Sequence, residues 1–578
     1  MKKILHLTFG SVLFLFYANS YAQFNPVWNK DYQHTTSGFF SNEGRKVVVD
    51  NSGNVFSLSD VTSDLDPSGV VTGLTYYYVV LTKYLSGSSV TAAEEVINVQ
   101  NHFNSGFDFR SAFGLELDAS GNVFCAYSTC DAGNCSDIKI SKYDNGLNPV
   151  WTYTFNAASI DSGIDFKVSP SGVAYAIVKS TATSGIVRYR ALKASGSLST
   201  STPLYSFSQF PDYVNSLALN SSQSLCVTGY RVVAGSKVLM TAMISNTGIL
   251  IWQNIFDGGS AAFDDIGKHI TVGIDGFVYV TGTSDRSSTN GIDVVTLRFD
   301  PVNGKIKWFL YQNYNTTDGG VFIAAPDLNN VFVGSVSSNT IVIDQIQISN
   351  NGGGGGAGGV GAGTLISRLV YNPVPAAPYW TLNGALLTDM KLSANKRIYL
   401  TGNIKAFDNS AQPFNAAWLA KADFISRGTP TIQFATSVDG DFGQSLFSAS
   451  IAVSDANHQV VWMRNTSEDF NTHNFEHILI NGYAVPLPVR YGVDGLNQNA
   501  SNILLTPNPA ANFISIASSE KMAKIELIDL SGKTIKSVQV NSANVVIDLS
   551  QLEQGIYIGI ITDATGNVYF RKIIKSAE

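Results

Sequence analysis

Two groups of residues have types and spacings that could support chemistry. Cys130 and Cys135 bracket a short segment, Asp131-Ala-Gly-Asn134. In an oxidising compartment these thiols can form a disulfide, which stabilises so small a loop by roughly 2 kcal/mol in the chain-entropy model. His473-Asn-Phe-Glu-His477 fits H-x-x-E-H, an inverted zinc-peptidase pattern. Zinc binding by that pattern requires a helix, whereas the following Ile478-Leu-Ile480 indicates a strand, so we predict no metal site here.

The other two cysteines, Cys125 and Cys226, lie inside apolar segments. Thiols in such segments usually behave as small buried side chains. The chain has no paired C-x-x-C spacing, which makes a cysteine-based metal site the less favoured alternative.

Carboxylate pairs are the remaining candidates for catalysis. Asp264-Asp265 and Asp439 with Asp441 could act as acid and base only in a fold that makes them face each other across a cleft. No G-x-S-x-G nucleophile motif is present. Gly352 to Gly363 contains G-x-G-x-x-G matches, but no helix pattern follows, which indicates a flexible insertion rather than a phosphate-binding loop. We therefore predict no catalytic residue and no cofactor.

Aspartates recur at Asp50, Asp118, Asp275 and Asp327, which raises the alternative of calcium binding. Each lies in a short segment typical of a tight turn, where an aspartate side chain accepts hydrogen bonds from nearby backbone N–H groups. One such turn offers too few oxygen atoms for the roughly six to eight ligands of calcium. We therefore favour a structural role for these aspartates.

The turns belong to a repeated unit, of which Ile266 to Trp308 is the clearest copy. A first strand ends in the turn Gly273-Ile-Asp-Gly276, and a second, β-branched run covers Phe277 to Thr281. Two further strands, Asp293 to Phe299 and one that contains Trp308, complete the unit. Four short antiparallel strands repeated in series are typical of a propeller blade. Long helical periodicity is missing throughout, so we predict an all-β chain.

Eight turns of this kind predict eight blades, with seven as the alternative because the last copies are degenerate. The middle copies are spaced by about fifty residues, a length that suits one four-stranded blade. The eight turns are Asp50-Asn-Ser-Gly-Asn54, Asp118-Ala-Ser-Gly-Asn122, Ser169-Pro-Ser-Gly172, Asn220-Ser-Ser-Gln223, Gly273-Ile-Asp-Gly276, Asp327-Leu-Asn-Asn330, Ser393-Ala-Asn-Lys396 and Ser454-Asp-Ala-Asn457.

The N-terminal segment predicts how the propeller closes. Phe24-Asn-Pro-Val-Trp28 resembles the fourth strands of later copies, such as Asn148-Pro-Val-Trp151. The last copy has a third strand near His477 to Tyr483 but no convincing fourth. We expect the N-terminal strand to complete the last blade, since closure removes an open sheet edge.

These blade copies resemble the exported bacterial β-propeller repeats called SBBP-type repeats. The resemblance covers 23–491 and rests on the aspartate turn, the second strand ending in Thr-Gly and the Trp-bearing fourth strand. In a propeller, the default place for a ligand is a face or the central channel, which is lined by first strands and their loops. The aromatic run Tyr76-Tyr-Tyr78 could contact a sugar, although packing in the core is the commoner role.

The N-terminus and the composition indicate export. Residues 1–22 have the parts of a signal peptide: Lys2 and Lys3, an apolar core from Leu5 to Tyr17, and Ser20-Tyr21-Ala22. The apolar core is too short to span a bilayer, and we predict no transmembrane segment in the mature chain. A formal net charge of -7 gives no sign of a nucleic-acid surface.

The pattern changes beyond a polar linker, 492–502. Residues 503–578 contain seven predicted short strands, which indicate a small Ig-like β-sandwich. This segment resembles the type A sorting domain of the type IX secretion system of Bacteroidota. The resemblance rests on motif residues Pro507, Asn508, Pro509, Gly532, Lys533, Gly555, Tyr557, Lys572 and Lys575. It implies export to the periplasm and then transport by the type IX secretion machinery, which is a partner of the C-terminal domain. The mature protein would be secreted or attached to the outer cell surface.

The sequence favours a binding or adhesion module for a glycan or another protein, because blades and turns are accounted for and a catalytic constellation is not. Two alternatives remain. One is an extracellular propeller enzyme acting on polysaccharide, and the other is a structural surface component without a small ligand. Fold alone does not choose among them.

Overall fold

The structure of the chain is a computed structural model that divides into two compact units, Met1–Val485 and Pro486–Glu578. The residues it describes are 28–32, 42–65, 71–86, 91–100, 112–131, 134–156, 160–182, 184, 186–196, 202–207, 212–258, 264–285, 291–314, 318–337, 340–348, 363–373, 381–393, 397–407, 413–424, 431–438, 445–454, 459–467, 475–484, 503–508, 510–529, 534–564 and 568–576.

The described part of the first unit forms eight four-stranded antiparallel sheets, an arrangement typical of a β-propeller. In seven sheets the strands are adjacent in chain order. These are β2 to β5 (Asn42–Val49, Val55–Leu65, Val71–Tyr84, Thr91–Gln100), β6 to β9 (Ala112–Leu117, Val123–Asp131, Asn134–Tyr143, Pro149–Asn156), β10 to β13 (Ile160–Val168, Ala174–Thr181, Val187–Ala194, Tyr205–Phe207), β14 to β17 (Asp212–Leu219, Leu225–Val233, Ser236–Ile244, Leu250–Phe256), β18 to β21 (Asp265–Val272, Val278–Asp285, Ile292–Phe299, Ile306–Gln312), β22 to β25 (Asp318–Ala324, Asn330–Ser337, Thr340–Gln347, Thr364–Tyr371) and β26 to β29 (Thr381–Leu392, Arg397–Phe407, Pro413–Asp423, Thr431–Val438).

The remaining sheet joins the two ends of this unit. It consists of β30 (Ser445–Ser454), β31 (Gln459–Ser467), β32 (Phe475–Ala484) and β1 (Trp28–Tyr32), the first described strand of the chain. β1 runs antiparallel to β32, with Asn29 opposite Asn481. The N-terminal strand therefore occupies the outermost position of the last sheet.

A hydrophobic core lies between each pair of consecutive sheets. The second and third strands are apolar on both faces because each sheet is covered on both sides, as Val278 to Val280 and Val294 to Leu297 illustrate. One core joins the last sheet to the first and contains Val461 of β31 and Val80 of β4. The sheets therefore pack in series, with the last against the first.

Local turn chemistry sets the hairpin between the first and second strands. In the turn of the first sheet, Asp50 Oδ1 accepts hydrogen bonds from the N–H groups of Ser52 (2.9 Å) and Asn54 (2.8 Å). Asp118 makes the same pair of bonds in the second sheet. Gln223 lies where other copies have glycine, and its φ of 58° preserves the left-handed turn conformation.

The described residues of the second unit form five strands rather than the seven that the sequence predicted. They are β33 (Ile503–Thr506), β34 (Phe513–Ile528), β35 (Thr534–Asp548), β36 (Gly555–Asp563) and β37 (Val568–Lys575). The predicted strands 514–517 and 524–529 fall in or beside β34, and 534–540 and 544–548 fall in β35, because these two strands continue through register shifts near Ala517 and Met522. β34 pairs with β33 by its first half and with β36 by its second, which gives the sandwich-like arrangement.

No helix long and apolar enough to cross a membrane occurs among the residues that the structure describes.

Candidate functional site

The first strands of five sheets line a cavity of about 390 Å³ along the propeller axis. The lining comes from β2, β6, β10, β26 and β30, each an edge strand of its own sheet. This volume falls within the range of about 300–1,000 Å³ that is typical of small-molecule sites. We call this cavity the central channel.

A β-bulge in the first strand of every sheet determines which side chains reach the channel. An extra residue shifts the alternation of a strand and increases its twist, so the residue after it is directed differently from its neighbours. The bulges occupy equivalent positions, at Gly44/Lys46, Ala112/Gly114, Gly163/Asp165, Val214/Ser216, Gly267/His269, Gly320/Phe322, Leu387/Asp389 and Ser448/Ser450.

Asp165 follows the bulge of the third sheet and binds the first strand of the fourth. Its Oδ2 accepts hydrogen bonds from Leu217 N (2.8 Å) and Ser216 Oγ (3.1 Å), and its Oδ1 accepts one from Phe166 N (2.8 Å). Both carboxylate oxygens therefore have donors, and the side chain holds two sheets together.

Asp389 repeats this arrangement four sheets further along the chain. Its Oδ2 accepts from Ile451 N and Ser450 Oγ of the next sheet, each at 3.2 Å, and its Oδ1 accepts from Met390 N at 2.9 Å. Burial acts to raise the pKa of this carboxyl, but Lys391, Lys46 and these donors outweigh it and lower the pKa. Asp389 is therefore an ionised acceptor between sheets.

His269 occupies the equivalent position in the fifth sheet. Its Nδ1 lies 3.4 Å from Ile323 N, the donor of the following sheet, and its ring packs against Phe322. Burial lowers the pKa of His269 to about 4. The imidazole is therefore neutral at pH 7 and can accept the Ile323 hydrogen bond through Nδ1.

Two lysines of the channel have carboxylate partners. Lys167 Nζ lies 2.9 Å from Glu116 Oε1 of the preceding sheet, and the charge of Glu116 raises the pKa of Lys167. Lys391 Nζ lies 3.4 Å from Asp389 Oδ1 on its own strand, with about half of the Lys391 side chain exposed. Lys167 is thus a fixed cation, whereas Lys391 is held loosely.

Lys46 differs from these two lysines. Its side chain is exposed inside the channel, and within the described residues it has no hydrogen bond or ion pair. The strands that surround the channel reduce the hydration of Lys46, and this desolvation lowers the pKa of Lys46 despite the nearby carboxylates Asp389 and Asp165. Lys46 therefore presents an ammonium group whose hydrogen-bond donors are available to a ligand.

The carboxylate pair singled out in the sequence is not assembled as an acid and base. Asp264 binds Lys237 Nζ at 2.6 Å, which lowers the pKa of Asp264 against the effect of burial. Its neighbour Asp265 is buried and accepts a hydrogen bond from Gly258 N, and burial raises its pKa. Neither residue lines the channel. Asp439 and Asp441 lie outside the described residues.

The aromatic run and the isolated cysteines belong to the core. Tyr76 and Tyr78 are buried between the first and last sheets, and Tyr77 packs between the first and second. Cys125 and Cys226 are fully buried free thiols, and burial raises the pKa of each to about 12. These side chains have packing roles.

The disulfide and zinc motifs lie partly outside the described residues. The backbone places Cys130 opposite Cys135 in the β7–β8 pair, but their side chains are not described, so the disulfide stays a prediction. In the H-x-x-E-H segment His473 is not described, and Glu476 and His477 lie in strand β32. Residues 352–362 of the glycine-rich segment are not described either.

Several sorting-motif residues connect the start of the second unit to its last strand. Asn508 Oδ1 accepts a hydrogen bond from Ile574 N at 2.8 Å, and Ala510 N donates to Ile574 O. Tyr557 Oη donates to Glu553 O at 2.9 Å close to Gly555, and Lys575 is buried. Pro507 adjoins β33. Pro509, Gly532, Lys533 and the Lys572 side chain lie outside the described residues.

Comparison with known proteins identifies the second unit. Residues 505–576 match the family model described as "Secretion system C-terminal sorting domain". The C-terminal unit carries a type IX sorting signal. The protein is therefore exported to the cell surface or secreted, and its sorting domain implies interaction with the type IX machinery. No relative of the chain was found among curated proteins.

Solved structures similar to this chain have low sequence identity to it. They include PorZ, a surface component of the type IX secretion system of Porphyromonas gingivalis (11% identity, 92% of this chain and 70% of that chain covered, TM-score 0.33), the periplasmic gluconolactonase PpgL of Pseudomonas aeruginosa (13%, 72% and 96%, 0.35) and the Dos1 propeller (10%, 65% and 93%, 0.35). At these values the similarity carries no conclusion about the activity or ligand of this chain.

Proposed function

We propose that the chain is an extracellular binding module whose propeller takes part of a glycan into the central channel. The observation that carries the proposal is the channel itself, a cavity of about 390 Å³ in which bulged strands present Lys46, Lys167 and Lys391. A binding site requires such convergent polar groups on a rigid frame. Interlocking hydrogen bonds at Asp165 and Asp389 supply the rigidity.

The state of the channel carboxylates supports binding rather than hydrolysis. A glycosidase needs one carboxyl group free to donate a proton and a second free to act as nucleophile or base. Asp165 and Asp389 instead hold backbone N–H groups of the next sheet, and Glu116 pairs with Lys167. These bonds occupy the carboxylates in structural roles.

The edges of the first strands suit a polyhydroxylated ligand. Each of the five lining strands pairs with its second strand along one edge only. Groups of its other edge that a neighbouring sheet does not bind, as Asp389 binds Ile451 N, can therefore serve a ligand. Alternating donors and acceptors of this kind can bind sugar hydroxyl groups in either direction. This feature favours a glycan over an apolar ligand.

We also propose the finer organisation of the chain. The series of cores between sheets and the β1–β32 pairing support a closed ring of eight blades formed by 23–491. The aspartate turns support the SBBP-type resemblance, and the sorting domain supports an origin in Bacteroidota. A signal peptide ending at Ala22 would deliver the chain to the periplasm before type IX export.

The proposal is tested by applying the purified secreted protein to an array of neutral and acidic glycans, followed by product analysis on every hit. We expect binding without turnover. Lys391→Trp should abolish the binding because the bulky ring fills the channel, whereas Lys305→Trp, at an exposed turn, should not. Binding that survives Lys391→Trp would place the glycan outside the channel.

The other outcomes decide between the alternatives. Release of shorter sugars from a bound glycan would support a polysaccharide-degrading enzyme. Absence of binding to every glycan would reject the proposed function and favour a protein ligand or a structural role at the cell surface.

A further inference from the structure

The charged side chains of the channel differ in whether other side chains of the protein pair with them. The described lining contains three lysines, Lys46, Lys167 and Lys391, and two carboxylates, Glu116 and Asp165. The whole chain, by contrast, has a formal net charge of -7. Counted with Asp389, which pairs with Lys391, the channel holds three lysines and three carboxylates, so it lacks the negative excess of the whole chain.

Each carboxylate near the channel already has its donors. Asp165 accepts two backbone N–H groups and one hydroxyl, and Asp389 accepts the equivalent three donors. Glu116 receives the ammonium group of Lys167. A cationic ligand would have to compete with these bonds, so the existing acceptors do not favour a cation.

The ammonium group of Lys46 is in the opposite situation. It has three N–H donors and, among the described residues, no acceptor bonded to them. It also lies in a channel where surrounding protein weakens its solvation. A partly desolvated ammonium gains more from an anionic acceptor than one in bulk water does, because the local dielectric constant is lower.

We propose that the central channel binds the monoanionic group of an acidic sugar, a uronate carboxylate or a sulfate ester, through the ammonium group of Lys46, with Lys391 beside it. This inference rests on the proposed glycan-binding function. A single charge suits the site because one lysine, Lys46, has no bonded partner within the described part of the chain, while the carboxylates of Asp165, Asp389 and Glu116 would repel a second negative charge.

The test uses isothermal titration of the purified secreted protein with three ligands that share one ring: galacturonate, its methyl ester and galactose 6-sulfate. We expect the ester to bind at least about tenfold more weakly than whichever acid fits, since a charge-assisted hydrogen bond is lost. The galacturonate and sulfate arms identify the anionic group. Equal binding of the ester and both acids would overturn the proposal.

Three variants locate the effect. Lys46→Gln should lose the preference for the acid, Lys46→Arg should retain it, and Lys305→Gln, a control at an exposed turn, should leave it unchanged. Thermal unfolding of Lys46→Gln should not be lowered, because the native side chain makes no described bond. Retained preference in Lys46→Gln would show that the anion binds elsewhere.

A separate measurement distinguishes failure of this inference from failure of the glycan function. If none of the three sugars binds, sodium acetate and sodium sulfate are added alone, and unfolding temperatures of wild type and Lys46→Gln are compared with those in sodium chloride. Stabilisation of wild type only would keep the anion site and reject the glycan. Equal responses of the two proteins would reject both.

Discussion

Asp165 and Asp389 connect neighbouring sheets in the channel wall by hydrogen bonds, as backbone pairing connects neighbouring strands within a sheet. Each carboxylate lies at the bulge of one first strand and accepts hydrogen bonds from a backbone N–H group and a serine hydroxyl of the next first strand. The two aspartates lie four sheets apart along the chain. The donors lie at buried positions, where water cannot replace a lost acceptor. The two aspartates are therefore connections between sheets.

Removing either carboxylate should destabilise the propeller. We expect Asp165→Ala and Asp389→Ala each to lower the free energy of unfolding by about 1–3 kcal/mol, since buried donors lose a charged acceptor. Asp144→Ala is the matched control, because Asp144 accepts two N–H groups in an exposed turn and its loss should cost less. Urea unfolding measures all three variants. Equal losses at the three sites would contradict the assigned role.

His269 makes the stability of the propeller sensitive to acid. Its pKa is about 4 in the folded chain, against 6.5 for an ordinary histidine, so the unfolded chain binds the extra proton first as pH falls. Stability attributable to His269 is complete above pH 6.5 and is lost between pH 6.5 and 4, on the order of 1–3 kcal/mol. The charged groups that act on it are Asp165, Lys167, Lys391 and Asp389.

The prediction is checked by urea unfolding at pH 7 and pH 5. Wild type should lose more stability between these values than His269→Gln, whose side chain keeps a carbonyl acceptor for Ile323 N and does not titrate. An identical pH dependence of the two proteins would show that His269 does not titrate as described.

At the scale of elements, the bulge in the first strand explains the Thr-Gly pair, which lies inside the second strands rather than at their ends. Gly229, Gly282 and Gly402 lie opposite bulges, where an added Cβ would collide with a backbone carbonyl oxygen of the first strand, that of Ile266 for Gly282. The threonine before this glycine occupies the space beside a second glycine, which lies in the first strand of the following sheet. Thr228 lies beside Gly267 in this way. The Thr-Gly motif is therefore explained by close contacts of the second strand with first strands.

Gly282→Ala should therefore lower the free energy of unfolding by about 2–3 kcal/mol through overpacking against backbone that cannot move aside. Gly196→Ala is the control, because nothing lies within 4 Å of a Cβ at that position. Chemical denaturation compares the two variants. A loss at Gly282 no larger than at Gly196 would mean that the bulge relaxes freely.

Local chemistry determined how much of the fold the sequence could predict. The turns at Asp50 and Asp118 were predictable because the side chain binds its own turn. The bulges were not predictable, because an extra residue in one strand can be recognised only when the residues of the paired strand are aligned with it. The channel was predicted as a place for a ligand, but Lys46 and His269 were missed. The available signal was a glycine two residues before each of them, Gly44 and Gly267. Each glycine lies six residues before the turn that follows its strand.

The sorting domain shows the same limit in another form. The predicted strands fall in or beside the observed ones, yet two pairs of predicted strands are continuous in the structure. Met522 pairs with both Ser542 of β35 and Asp563 of β36, beside the register shifts where β34 changes partners. A strand that bends between two layers has an interrupted pattern, which resembles a turn in the sequence.

At the scale of the molecule, the proposed closure of the ring depends on the terminal strand β1. β1 supplies five residues that pair with β32, and the core between the last and first sheets lies beside this junction. Deleting Phe24 to Tyr32 exposes the edge of β32 and removes the outermost strand of one blade. We expect the unfolding temperature to fall by roughly 5 °C or more and aggregation to increase.

A cross-link at the same junction should have the opposite effect. Asn29 and Asn481 are direct partners in the β1–β32 register, so Asn29→Cys with Asn481→Cys places two thiols across the closure. A disulfide there closes almost the whole propeller into one loop, for which the chain-entropy model gives a stabilisation of about 6 kcal/mol. The reduced double variant is the control in a thermal unfolding experiment. If the oxidised protein forms the bond without gaining stability, opening at β1 is not the step that begins unfolding.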